Sequence, residues 1–214
     1  MYEKARELAH ELIKGNYETS WKIVHEHSKE GFHSTFIYDL LLKEAMHYIG
    51  YMWQENEITV AEEHLATGVC DYLLSRYSHS KVATPAPNAP KALFFCVEGE
   101  LHYLGLKMVS LLFQENGWDV RFLGPNLPLE YATYSVKQWK PDLVGISLSL
   151  TYQLPHLSQY IENIESLPSK PTIMVGSRLV DSYHLQNYCS PRTVIFSDLE
   201  DISVWLKNYQ VQYS

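Results

Sequence analysis

Residues 98–105, Glu-Gly-Glu-Leu-His-Tyr-Leu-Gly, put two carboxylates, one imidazole and two glycines into a single short stretch. The apolar run Lys91-Ala-Leu-Phe-Phe-Cys-Val97 precedes them and reads as a buried strand. Leu104, Met108, Leu111 and Leu112 follow on one helical face. An imidazole at the tip of a core strand, where the next helix begins, is a ligand-binding placement. Neutral imidazole is also a good transition-metal ligand. Two further segments are polar or tiny directly after continuously apolar runs: Ser147-Leu148-Ser149 with Thr151 close behind, and Gly176-Ser177.

The elements that must position these groups follow from periodicity. Apolar runs at 92–97, 119–123, 143–149, 172–175 and 193–196 read as strands. Helical segments at 103–116, 129–138, 153–166 and 199–208 alternate with them, and 177–190 stays ambiguous. Five strands with crossovers imply a parallel, doubly wound, flavodoxin-like α/β sheet. Ligands on such sheets lie beyond the carboxyl ends of the strands, near the switch in strand order. That rule gathers His102, the Ser147–Thr151 segment and Gly176-Ser177 on one edge.

The first part of the chain is different. Residues 2–14, 18–30, 33–54 and 60–77 all have helical periodicity, with Phe36, Leu40, Met46, Ile49 and Trp53 as the expected apolar stripe of the third helix. Thr59-Val60-Ala61-Glu62 has the pattern of a capping box. Four helices with short connections predict a small bundle. The Pro-rich "HSKVATPAPNAPK" that follows reads as an extended linker. The domain expectation is therefore a bundle over 1–80, a linker over 81–90 and the α/β domain over 91–214.

Composition excludes several classes. The chain has 214 residues and a formal net charge of −8, which argues against broad binding to nucleic acid or anionic membrane. The three cysteines are odd in number and widely spaced, so a disulfide framework is not expected and a reducing, cytoplasmic setting fits. Cys70 and Cys96 read as core. No apolar run is long enough to span a membrane, and no secretory signal is apparent. His25, Glu26 and His27 point apart on a helix and read as a solvated face rather than a metal site. No nucleophile–base–acid grouping and no Gly-rich phosphate loop is present.

Glu100-x-His102-x-x-Gly105 resembles the D-x-H-x-x-G signature of cobalamin-binding domains of the methionine synthase and mutase type. In that family the serine segment begins after about 41 further residues, and here residues 106–146 intervene, 41 positions. Gly176-Ser177 stands at the family's glycine pair, and "LGPNLP" at 123–128 resembles its segment after the second strand. The resemblance implies that His102 ligates cobalt from below and that Glu100 holds its other nitrogen. Tyr103, Gly105, Ser147, Ser149, Thr151, Gly176 and Ser177 would then surround the cofactor and its nucleotide tail. Three positions depart from the pattern: Glu100 for Asp, Ser149 for the usual Leu, and Ser177 for the second glycine.

The bundle carries a second resemblance. Trp53, nine residues, then Glu63-His64 is similar to the signature of light-sensing cobalamin regulators of the CarH type. There these residues contact the adenosyl group of adenosylcobalamin. Two features differ from those photoreceptors. Gln54 stands where they can carry a second, cobalt-capturing His. No helix-turn-helix domain is visible, and residues 1–80 hold 7 Lys and Arg against 13 Asp and Glu.

The resemblance implies a light-responsive cobalamin sensor, not itself an enzyme, that acts through a regulatory protein partner or a homo-oligomer. Two alternatives stay open. One is a corrinoid methyl carrier serving methyltransferases. The other is a sensor binding haem or biliverdin in place of cobalamin or beside it. Trp53 as an ordinary core residue and Glu63-His64 as a solvated helix face are the rival structural readings.

Overall fold

A computed structural model describes residues 2–82, 84–177, 179 and 183–213. The chain divides into two compact units, Met1–Val82 and Ala83–Ser214.

The first unit is the helical bundle. Helix α1 (Glu3–Ile13) buries Ala5, Leu8, Ala9 and Leu12, the spacing of one helical face. Gly15, at φ +71°, makes the turn into α2 (Tyr17–Lys29), which buries Ser20, Ile23, Val24 and His27. His27 corrects its reading as part of a solvated face. Its Nδ1 donates to the Ile23 carbonyl (2.8 Å), so its Nε2 accepts from the Tyr2 hydroxyl (2.9 Å).

The third arm joins α3 (Ser34–Phe36), a π-helical segment (Ile37–Lys43) and α4 (Glu44–Gln54) without a break. Its buried face is Ile37, Tyr38, Leu41, Leu42, Ala45, Ile49 and Met52. Of the stripe expected from sequence only Ile49 is fully buried, while Leu40 and Trp53 are exposed. The wider i→i+5 turns put residues spaced for an unbroken α-helix out of phase with the core. Helix α5 (Val60–His79) starts at the expected capping box: Glu62 N–H donates to Thr59 Oγ1, and Thr59 N–H donates back to the Glu62 carboxylate. It runs two residues past the expected end.

The second unit is a five-stranded parallel sheet in the order β2-β1-β3-β4-β5. The strands are β1 (Lys91–Val97), β2 (Asp119–Leu127), β3 (Leu143–Ser147), β4 (Thr172–Gly176) and β5 (Val194–Phe196). Helices α6 (Leu104–Glu115), α7 (Leu129–Trp139), α8 (Leu154–Glu165) and α9 (Leu199–Tyr213) connect or follow them. Leu93, Phe95 and Val97 pack on the side of α7 and α8, with Ala132, Val136, Leu157, Ile161 and Ile164. Phe94 points to the other face and meets Phe113 of α6 edge-on at 5.0 Å. Across β3, Gly145 is the register partner of Phe94, and a Cβ there would lie 2.2 Å from its ring.

Two strand ends differ from the sequence expectation, and both differences shape the site. β2 continues through Gly124, Pro125 and Asn126, with register shifts against Phe95 and Val97. Its place at the edge of the sheet is what permits the proline. β3 stops at Ser147 rather than 149, because the Ser149 amide is drawn off to a side chain of the β1 loop. Within the ambiguous 177–190 stretch a short 3₁₀ turn forms at Leu185–Tyr188, and residues 178 and 180–182 lie outside the described residues.

Candidate functional site

The loop after β1 is fixed from two neighbours. Glu98 N–H donates to the Tyr160 hydroxyl (3.1 Å), which itself donates to the Leu127 carbonyl (2.6 Å). Gly99 N–H donates to Asn126 Oδ1 (2.7 Å), and Asn126 N–H donates to the Glu100 carbonyl (2.9 Å). Asn126 reaches both by adopting φ +55°, a left-handed conformation that asparagine tolerates better than most residues. Gly99 turns the chain at φ +81°.

This turn buries the Glu100 carboxylate completely. Oε1 accepts from His102 N–H (2.8 Å) and from His102 Nδ1 (2.6 Å). Oε2 accepts from Ser149 N–H (2.5 Å) and Ser149 Oγ (2.7 Å). Ser149 Oγ also lies 3.0 Å from His102 Nδ1. Burial pushes the Glu100 carboxyl upward, but the hydrogen bonds from His102 and Ser149 outweigh it and hold the group down to about 2. An ionised acceptor on Nδ1 places the imidazole proton there and the lone pair on Nε2, in a side chain that is 62% exposed. The chemistry follows: in its neutral form the ring is preset in the tautomer that a metal ligand at Nε2 needs.

Behind the loop, burial and then the charge on Glu100 push the Cys96 thiol up to about 12, so it stays a thiol. Its Sγ lies 3.8 Å from the His102 carbonyl.

The other expected site residues fall on the same edge. Cys96, Ser147 and Gly176 are register neighbours at the ends of β1, β3 and β4. A Cβ at Gly105, in the first turn of α6, or at Gly176 would meet nothing within 4 Å, so both glycines leave open space. Ser177 is buried, and its Oγ accepts from Leu179 N–H (3.0 Å). Thr151 is exposed at the start of a 3₁₀ turn, Thr151–Gln153. Tyr103, half-buried, caps α6 and tilts against Phe122 at 6.4 Å.

In the first unit, Trp53 is 48% exposed, so it is not a core residue of the bundle. His64 Nε2 lies 3.6 Å from Glu63 Oε2, with the His64 side chain 75% exposed, and Thr67 Oγ1 donates to the Glu63 carboxylate (3.0 Å).

Sequence reasoning missed Asn126, Tyr160 and the hydrogen bonds of Ser149. The one available signal was Asn126 in "LGPNLP", a Gly-Pro-Asn turn directly after a strand. Among the described residues no group of three or more His, Cys, Asp or Glu is placed to hold a metal ion. The His102 imidazole, held by Glu100, is a donor that fits a metal bringing most of its own ligands, as cobalt in a corrin does.

A family model described as "B12 binding domain" matches residues 90–194, and a second of the same description matches residues 4–77. This is a B12-binding-domain protein.

Relatives of two kinds match it. The dimethylamine corrinoid protein of Methanosarcina barkeri is 26% identical over 184 residues, 81% of this chain and 83% of that protein. The HTH-type transcriptional repressor CarH of Myxococcus xanthus is 26% identical over 166 residues, 77% of this chain and 54% of the repressor. The repressor CarA of the same organism is 32% identical over 90 residues, 42% of this chain. The chain spans 31% of CarA and 49% of dimethylamine corrinoid protein 3 of Methanosarcina mazei, so part of each lies outside the match. Among solved structures, the monomethylamine corrinoid protein of M. barkeri shares the fold, with a TM-score of 0.71 and 18% identity over 94% of this chain and 96% of that one. Among the described residues no helix is long and apolar enough to cross a membrane.

Proposed function

We propose that this B12-binding-domain protein is a corrinoid methyl carrier, a component that hands methyl groups between methyltransferases. The observation that carries the cofactor half is the outward His102 imidazole with its Nδ1 on the buried, ionised Glu100. His102 Nε2 would be the chain's ligand to the cobalt. Glu100 and Ser149 would hold the ring. Ser147, Thr151, Tyr103 and Ser177, with the open space at Gly105 and Gly176, would take the rest of the cofactor. The bound corrinoid supplies the methyl-accepting and methyl-donating metal. The residues of the chain supply its lower ligand and keep that ligand's proton on Nδ1. The carrier half rests on similarity to the dimethylamine corrinoid protein, which covers most of both chains.

The test is a reconstitution: protein loaded with methylcobalamin, a cognate methyltransferase and a thiol acceptor. Transfer that requires this protein, and that falls at least tenfold in His102→Ala, supports the reading. Cobalamin bound equally well by His102→Ala, with an unchanged visible spectrum, refutes it.

A light-responsive regulator is the second reading, and one observation favours it. Trp53 and His64 are solvent-facing rather than core, as an adenosyl-contacting role requires. It predicts preference for adenosylcobalamin over methylcobalamin, eroded by Trp53→Ala. Equal affinities, insensitive to that substitution, leave the carrier. Haem or biliverdin in place of cobalamin would be seen in the same spectra.

A further inference from the structure

Gln153 is fully buried, and both its Oε1 and its Nε2 lack a hydrogen-bond partner. A buried amide left without partners loses its hydration and gains nothing in return, so its retention calls for a compensating state. The side chain closes the 3₁₀ turn that follows Ser149, and its Nε2 lies 3.5 Å from where a Cβ on Gly99 would sit. It therefore faces the bare backbone of the turn that carries Glu100 and His102.

Four of the loop's donors are already assigned. The N–H groups of Glu98, Gly99, Glu100 and His102 donate to Tyr160, Asn126, Val97 and Glu100 respectively. What the Gln153 Nε2 can gain from this loop is a carbonyl, and the side chain already faces the peptides flanking Gly99. Gly99 is also the loop residue with the most backbone freedom to turn one toward it.

We infer that Gln153 is a positioning residue of the His102 loop: its Nε2 donates to a carbonyl flanking Gly99 when the loop takes its cofactor-loaded position. The unpaired amide is the cost of the unloaded position, and the new bond favours the loaded one. A contact made in one state shifts the equilibrium toward it by its differential free energy. Gln153 makes no hydrogen bond to His102. It acts through the backbone of the loop. The inference rests on the corrinoid reading above.

The experiment uses the whole chain and two variants, Gln153→Met, which keeps the length of the side chain, and Gln153→Leu. Cobalamin affinity is read from visible spectra. Thermal unfolding is recorded with and without a fixed excess of cobalamin. The expected result is an unloaded protein at least as heat-stable as wild type, affinity lowered about tenfold, and a smaller cobalamin-induced rise in Tm. A merely structural glutamine gives the opposite pattern: a less stable unloaded protein and an unchanged cobalamin-induced rise. That result in either folded variant overturns the inference. Wild-type protein that binds no cobalamin overturns the corrinoid reading and this inference together, whereas normal binding by all three proteins overturns this one alone.

Discussion

Glu100 receives four hydrogen bonds, all from donors: two from His102 and two from Ser149. A carboxylate suits that shell and a carboxamide does not, because the NH₂ of glutamine would face N–H or O–H groups on one side. Glu100→Gln is therefore expected to destabilise the unloaded protein as well as weaken cofactor binding by about 10–100-fold through a misoriented imidazole. The sign of the pH effect comes from the depressed pKa. Unfolded, the group titrates near 4.5; folded, it is held at about 2. Its contribution is present above about pH 4.5 and is lost as pH falls toward 2, in all about 3 kcal/mol at most. Urea midpoints of the unloaded protein across that window should drop more steeply for wild type than for Glu100→Gln. Parallel slopes would show that the carboxylate is not held as described. The Glu100–His102 pair was legible through the resemblance of Glu100-x-His102-x-x-Gly105 to a known signature, which lies within one short stretch of sequence. The Ser149 contribution was not legible, because it depends on a strand ending two residues early.

At the scale of elements, β1 and β3 fit because Gly145 leaves room for the Phe94 ring. The ring in turn reaches Phe113 and so joins the sheet to α6. Gly145→Ala is expected to cost about 1–3 kcal/mol, the range for overpacking a filled core. The Phe94→Leu, Gly145→Ala double variant should recover part of that loss. Guanidinium unfolding of the two single variants and the double measures the coupling, and strictly additive losses would reject a direct clash. The five strands were legible as short, continuous apolar runs, as strands covered on both faces must be, and the helices between them by their period. Two features were not. The extension of β2 through Pro125 is allowed only by its edge position, which a sequence does not state. The π-helical stretch at Ile37–Lys43 keeps helical composition while shifting phase, so it exposes Leu40 and Trp53 where an unbroken helix would have buried them.

At the scale of the whole molecule, the two units have different kinds of legibility. The second unit gathers the candidate residues at strand ends, where parallel topology brings distant positions together, so their shared edge followed from a parallel reading of the sheet. The first unit places Trp53, Glu63 and His64 on the surface of a bundle, where periodicity assigns burial but not purpose. That asymmetry is why the carrier and the light-responsive readings share one lower-face geometry and part company in the bundle. They also differ in the response to illumination that each requires. A methyl carrier needs no coupling between the upper ligand and its quaternary state. A photoreceptor does, because loss of the adenosyl group must alter a surface that a partner reads. Gln54, next to Trp53, offers an amide where the resembled photoreceptors can carry a His, so a photoproduct locked by a second imidazole at this position is not expected. The carrier reading therefore predicts that protein loaded with adenosylcobalamin elutes identically from size exclusion in the dark and after illumination, with unchanged affinity for its methyltransferase. A light-dependent change of oligomeric state, abolished by Trp53→Ala, would transfer the assignment to the regulator.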